Sequence, residues 1–296
     1  MARTSISVKA AAFNQGRFPT VAFINKATTP LGVNLDKLVS ALQKQLDQHF
    51  VPVWGYPAKL HVTAEPEADE WQIVFLDDAD AANALGYHDI TKDGQPISKV
   101  FVKTTLAANQ RVSTTASHEL LEMLIDPAAQ LWAQNGDGKL YAYEMCDAVE
   151  SEEYEIDGIA VSNFVHPSFF ESWHLPRSVQ FDHLKKVTRP FETLPNGYQI
   201  VTDGKSVQEV FGSENKLLDF QREVRAMHRS EYRKHLMEVK AASQAQARDS
   251  NHAAVLYHAG QFLTALALTK KKSPEPLPPF TTPWDTDPPP DPWRFP

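Results

Sequence analysis

Ser117-His118-Glu119-Leu120-Leu121-Glu122 is the stretch whose reading decides this chain. On a helix over residues 115–125, His118 and Glu122 stand at i and i+4, one above the other on one face, where both can reach a single ion. Glu119 follows the histidine directly. In the HExxH zinc signature that place belongs to a general base, and a second histidine stands where this chain has Glu122. A purely structural account competes with this one. Glu119 and Glu122 are then solvated positions on an amphipathic helix whose Leu120, Leu121, Leu124 and Ile125 face the core.

Two ligands on one turn need at least one more to hold a catalytic metal, with a position left open for water. The helix is expected to end at Asp126, because Pro127 disfavours helical backbone at the residue before it. Asp126 itself lies about 12 Å along the axis from His118 and cannot share its ion. A tight turn, Asn135-Gly136-Asp137-Gly138, leads into residues 140–146, read as strand-like or irregular. That segment closes with Tyr143-Glu144-Met145-Cys146-Asp147, which offers Glu144 and Asp147 as further carboxylates. Cys146 reads as a small buried residue. His61, His88 and His174 read as loop or core histidines.

Before the motif, residues 20–25 (TVAFIN) form a strand-like run. A helix follows, capped by Asn34 or Asp36 and carrying the stripe Leu35, Leu38, Val39, Leu42, Leu46, Phe50. Residues 59–64 and 71–76 are two further strands, the second more central. Residues 77–80 and Gly86-Tyr87-His88 read as loop, and Lys92-Asp93-Gly94 as a turn. Residues 98–104 alternate, with Val100 and Val102 on one face and Lys99, Phe101 and Lys103 on the other; the lysines predict an edge strand. After the motif, residues 158–165 read as a strand, stopped at His166-Pro167. Pro195-Asn196-Gly197, between residues 191–194 and 198–201, carries a strong hairpin signal.

The 296 residues suffice for a large core. The formal charge of -8 argues against binding nucleic acid phosphates as the main task. The single cysteine excludes an internal disulfide. Residues 1–18 lack the apolar core of a secretory signal, and no window is apolar enough to span a bilayer, so a cytoplasmic or non-classically exported protein with no membrane segment is expected. Three regions follow from the change of character along the chain. Residues 1–212 carry the motif and are the expected metal-binding catalytic domain, 213–272 are expected to form a charge-rich helical extension suited to self-association or a protein partner, and 273–296 a Pro-rich tail.

The order HExxE, turn-rich insertion, ExxD resembles the zincin superfamily of metallopeptidases, and its gluzincin branch in particular. The order strand, helix, strands, edge strand, motif helix is also similar to the zincin N-terminal lobe. Locally, the chain resembles the plant Exordium or phosphate-induced proteins, which carry HELAE, Asp or Asn before Pro, a Trp, and Glu-Ile-Ala-Asp; the matching residues are His118, Glu119, Glu122, Asp126, Pro127, Trp132, Glu144 and Asp147. The resemblance implies an α+β, zincin-like mixed sheet with an active-site helix. It implies His118, Glu122 and Glu144 as ligands, Asp147 holding the other nitrogen of His118 or ligating in its own right, and Glu119 as base. His166, or a tyrosine such as Tyr143, is the expected oxyanion donor. Zinc is the expected ion, and the carboxylate-rich shell also favours manganese. The expected activity is metal-dependent hydrolysis of a peptide or protein substrate. Two other readings stand beside it: a zincin-fold structural or binding component with a degenerate or structural metal site, and an effector carried by a secreted particle.

Overall fold

The computed structural model describes residues 18–79, 85–91 and 94–213, all within one compact unit. The first strand, β1 (Thr20–Asn25), leads to α1 (Leu35–Gln45). Asn34 caps α1, its side-chain oxygen accepting from the Lys37 amide at 3.0 Å. A π-helical turn at Leu46–Phe50 carries the stripe onward, so Leu38, Val39, Leu42, Leu46 and Phe50 all reach the core. The short α2 (Val51–Trp54) ends on Gly55, whose φ of 75° is the left-handed stop that glycine accepts without a clash.

Next come β2 (Lys59–Val62), β3 (Trp71–Leu76), β4 (Gly86–Ile90) and β5 (Pro96–Phe101). With β1 they form one mixed sheet in the order β2-β1-β3-β5-β4. Four strands run parallel, and β4 pairs antiparallel with β5 at the edge. One face sends Val21, Phe23, Leu60, Trp71, Ile73, Phe75 and Val100 into the main core.

Two sequence expectations are corrected here. The edge strand is β4, where a loop was expected, and the lysine-bearing segment is the interior strand β5. Lys99 is tolerated there because its stem lies across the neighbouring strand: its ammonium donates to the Tyr87 hydroxyl at 2.8 Å and sits 5.1 Å from the ring centroid. The strand also stops at Phe101, because Val102 opens α3 (Val102–Ala107), and Lys103 pairs with Asp78 at 3.0 Å. Of the turn between β4 and β5, Lys92 and Asp93 lie outside the described residues.

The motif lies on α4 (Val112–Ile125), every residue of which is buried. It starts three residues before the expected helix and stops before Asp126, whose carboxylate accepts the Gln130 and Leu131 amides. A buried polar relay joins α4 to its neighbours. The Ser117 hydroxyl donates to Gln45 Oε1 at 2.7 Å and accepts the Ser162 amide at 3.0 Å, while Gln45 Nε2 donates to the Ser162 carbonyl at 2.9 Å.

The remainder is made of short strands. β6 (Trp132–Gln134) and β7 (Leu140–Ala142) flank the expected Asn135 turn, and β8 (Glu153–Ile156) pairs with β9 (Ile159–Ser162). The hairpin expected around Pro195-Asn196-Gly197 is also corrected. It is formed by β10 (Tyr198–Thr202) and β11 (Val207–Phe211), one turn later, and residues 191–194 form no strand. The Pro195 turn does form, with the Gly197 amide donating to the Leu194 carbonyl at 2.8 Å. The Leu194 amide, however, goes to the Ala148 carbonyl and is not available to a partner strand.

The chain is thus of mixed α and β content. No helix among the described residues is long and apolar enough to cross a membrane. Apart from Ser213, the expected helical extension (213–272) and the Pro-rich tail (273–296) fall outside the described residues.

Candidate metal centre

Helix α4 brings His118 and Glu122 together as their spacing requires, with His118 Nε2 3.1 Å from Glu122 Oε1. Their surroundings differ from those of a surface helix. Glu119 is 2% exposed and Glu122 0%, which removes the account of both as solvated positions. Burying carboxylates is costly unless charge and hydrogen bonds compensate, so their presence inside points to a cation or donors nearby.

The segment after β7 supplies the facing wall. The Met145 carbonyl accepts the Val165 amide, and the Cys146 amide donates to Glu122 Oε1 at 3.2 Å. Cys146 is also the residue before a 3-10 turn at Asp147–Val149. The turn directs Asp147 Oδ1 to 3.1 Å from His118 Nε2. This is the same nitrogen that faces Glu122, which corrects the expectation that Asp147 holds the other ring nitrogen.

The convergence has a physical meaning for ligation. Two atoms bound to one ion at about 2.1 Å and tetrahedral angles lie about 3.4 Å apart. His118 Nε2 stands near that spacing, at 3.1 Å, from Glu122 Oε1 and from Asp147 Oδ1. Cys146 stands close behind: a ligand atom each from His118, Glu122 and Cys146 fit within 4.8 Å of one another. Burial, then the Glu122 charge, hold the Cys146 thiol well above its ordinary pKa.

Glu144 takes a different place, on His88, read from the sequence as a loop or core histidine. His88, on the edge strand and 3% exposed, has Nδ1 3.8 Å from both Glu119 Oε2 and Glu122 Oε2, and Nε2 3.8 Å from Glu144 Oε2. Gly86, two residues earlier, points to the same side of β4. A Cβ there would lie 2.9 Å from Glu119 Oε1 and Cγ and 2.8 Å from the Lys99 carbonyl, so the Glu119 carboxylate reaches the sheet only because residue 86 is glycine. The alternation Gly86, His88, Ile90 before Gly94 is the signal that could have found this strand.

The other named residues lie apart. His166 neighbours Asp182 and the Phe164 ring, and burial lowers its pKa. Tyr143 stacks on Phe170 at 4.2 Å and meets Trp54 edge-on. His61 pairs with Glu70 and His174 with Glu171, each at 2.7 Å.

Charge is the feature that organises the site. Glu119, Glu122, Glu144 and Asp147 are all buried, against two imidazoles, His88 and His118. Burial alone would depress the His118 pKa, but the Glu122 charge, and then hydrogen bonds to Asp147 and Glu122, raise it well above the ordinary value. A proton on His118 thus does in part what a cation would do. The donor set of imidazole and carboxylates suits a divalent ion such as zinc, and does not exclude manganese.

Comparison of the chain with protein-family models, with curated proteins and with solved structures returned no match.

Proposed function

We propose that this protein is a metal-dependent hydrolase of the zincin type, cutting peptide bonds with a divalent ion, zinc in the first instance. The observation that carries the reading is the convergence of four buried carboxylates on two imidazoles, with Glu122 and Asp147 sharing one nitrogen of His118. The mixed sheet with its antiparallel edge strand beside the motif helix supports the zincin comparison.

His118, Glu122 and Asp147 would hold the ion, with Cys146 within reach. The chemistry a divalent ion supplies in such a site is a lowered pKa for water and polarisation of the carbonyl to be cut. Glu119, the neighbour of His118 on the helix, takes the proton of the attacking water and delivers it to the leaving amine. Gly86 gives its carboxylate room. The carboxylate ligands offset the ion's charge, so water is acidified less than between neutral imidazoles, and turnover is expected to be slow.

A second reading is favoured by one observation, the burial of the whole cluster, since closed sites are commonly structural. Elemental analysis of the purified full chain, reconstituted with one equivalent of zinc, separates the two. His118→Ala is expected to lose the ion. Glu119→Gln is expected to keep it and to lower cleavage of an unstructured protein substrate such as casein by about 10²-fold or more. A wild-type chain that takes up no transition metal ends the proposal. An ion-bearing Glu119→Gln chain that unfolds and cleaves like wild type moves the site to a structural role.

A further inference from the structure

The buried cluster contains two sets of ligand atoms, and the proposed hydrolytic site uses only one. Glu122 Oε1 and Asp147 Oδ1 gather at His118 Nε2. The second set, His88, Glu119 and Glu122, has one ligand atom each within 4.8 Å of the others, and all three residues are buried. It meets the first at Glu122, whose two oxygens face different histidines: Oε1 is 3.1 Å from His118 Nε2 and Oε2 is 3.8 Å from His88 Nδ1. A carboxylate turned in this way is disposed to bridge two cations.

The charge balance points the same way. Glu119 and Glu144 lie buried on either side of the His88 ring, so both carboxylates bring negative charge to the place where a second divalent ion would sit. The distances of 3.8 Å from His88 Nδ1 to Glu119 Oε2 and Glu122 Oε2 are slightly longer than the about 3.4 Å between ligands of one tetrahedral ion.

We infer that the protein has a second divalent-cation position, formed by His88, Glu119 and Glu122 and sharing Glu122 with the first. The inference rests on the metal-centre reading above and adds a regulation of that same site. Glu119 cannot serve both as ligand to this ion and as proton acceptor for water. The second position therefore opposes hydrolysis when it fills, and the edge strand β4 controls it through His88. Abundant metal closes the site by occupying its base.

The test uses the full chain, stripped with a chelator and titrated with zinc, with bound ions counted by elemental analysis after removal of free metal. Wild type is expected to saturate at two ions per chain and His88→Ala at one. Manganese-loaded wild type is expected to give the electron paramagnetic resonance spectrum of two exchange-coupled ions. Should His88→Ala misfold by circular dichroism, His88→Asn and the wild-type manganese spectrum decide. Saturation at one ion overturns the second position and leaves the hydrolase reading standing. No bound ion overturns both. Two uncoupled ions, or two ions in a folded His88 variant, put the second ion elsewhere and overturn the inference.

Discussion

At the scale of single residues, the site depends as much on what is absent from position 86 as on the ligands. Glu119 Oε1 occupies space that a methyl group at Gly86 would need, and the backbone carbonyl of Lys99 closes the other side. The methyl group of Gly86→Ala must displace the Glu119 side chain or move the strand. We expect Gly86→Ala to lower stability by about 1–3 kcal/mol, the usual cost of overpacking, measured by urea denaturation. It should also reduce hydrolysis while leaving the first equivalent of zinc bound, because the atoms nearest the added methyl group belong to Glu119 and Lys99. Glu122 and Glu119, adjacent in role, are separated by this geometry: one turns inward to both histidines, the other lies against the sheet.

At the scale of elements, α4 is fixed by polar bonds as well as by its leucines. Ser117, the residue before the ligand His118, connects α1, α4 and β9 through Gln45 and the Ser162 backbone. Ser98 of β5 adds a hydrogen bond to the Glu119 carbonyl at 3.2 Å. Removing the hydroxyl in Ser117→Ala leaves a buried amide oxygen and a buried N–H without their partner, which costs about 1–3 kcal/mol. A loss in that range by urea denaturation is the expected outcome, with one zinc per chain retained. A loss of zinc from Ser117→Ala would mean that the relay positions His118 and not merely the helix.

At the scale of the whole molecule, a cluster of stacked histidines contributes to the acid response. His49 and His183 stack at 4.6 Å, with the Tyr154 hydroxyl 3.0 Å from His49 Nδ1 and Phe164 stacked on the other ring. Burial, then the nearby His49, His166 and Lys185, lower the His183 pKa from 6.5 to about 4; burial lowers His49 and His166 as well, against the pull of Asp182 on His166. The folded state therefore resists a proton that the unfolded chain accepts. The contribution of His183 is fully present above pH 6.5 and is lost as pH falls from 6.5 to about 4. The melting temperature of wild type should decline over that window, and His183→Asn should decline less steeply. The sequence by itself determined much of the architecture and half of the site. The apolar periods located β1, β3, α1 and α4, and the helical repeat placed His118 over Glu122, because these relations are set by backbone geometry within a few residues. Only the tertiary structure decided that β4 is the edge, that His88 joins Glu119, Glu122 and Glu144, and that Asp147 meets Glu122 at one nitrogen. Strand periodicity says which face a side chain takes, but sheet order and the packing of a helix beneath it choose which distant residues share that face.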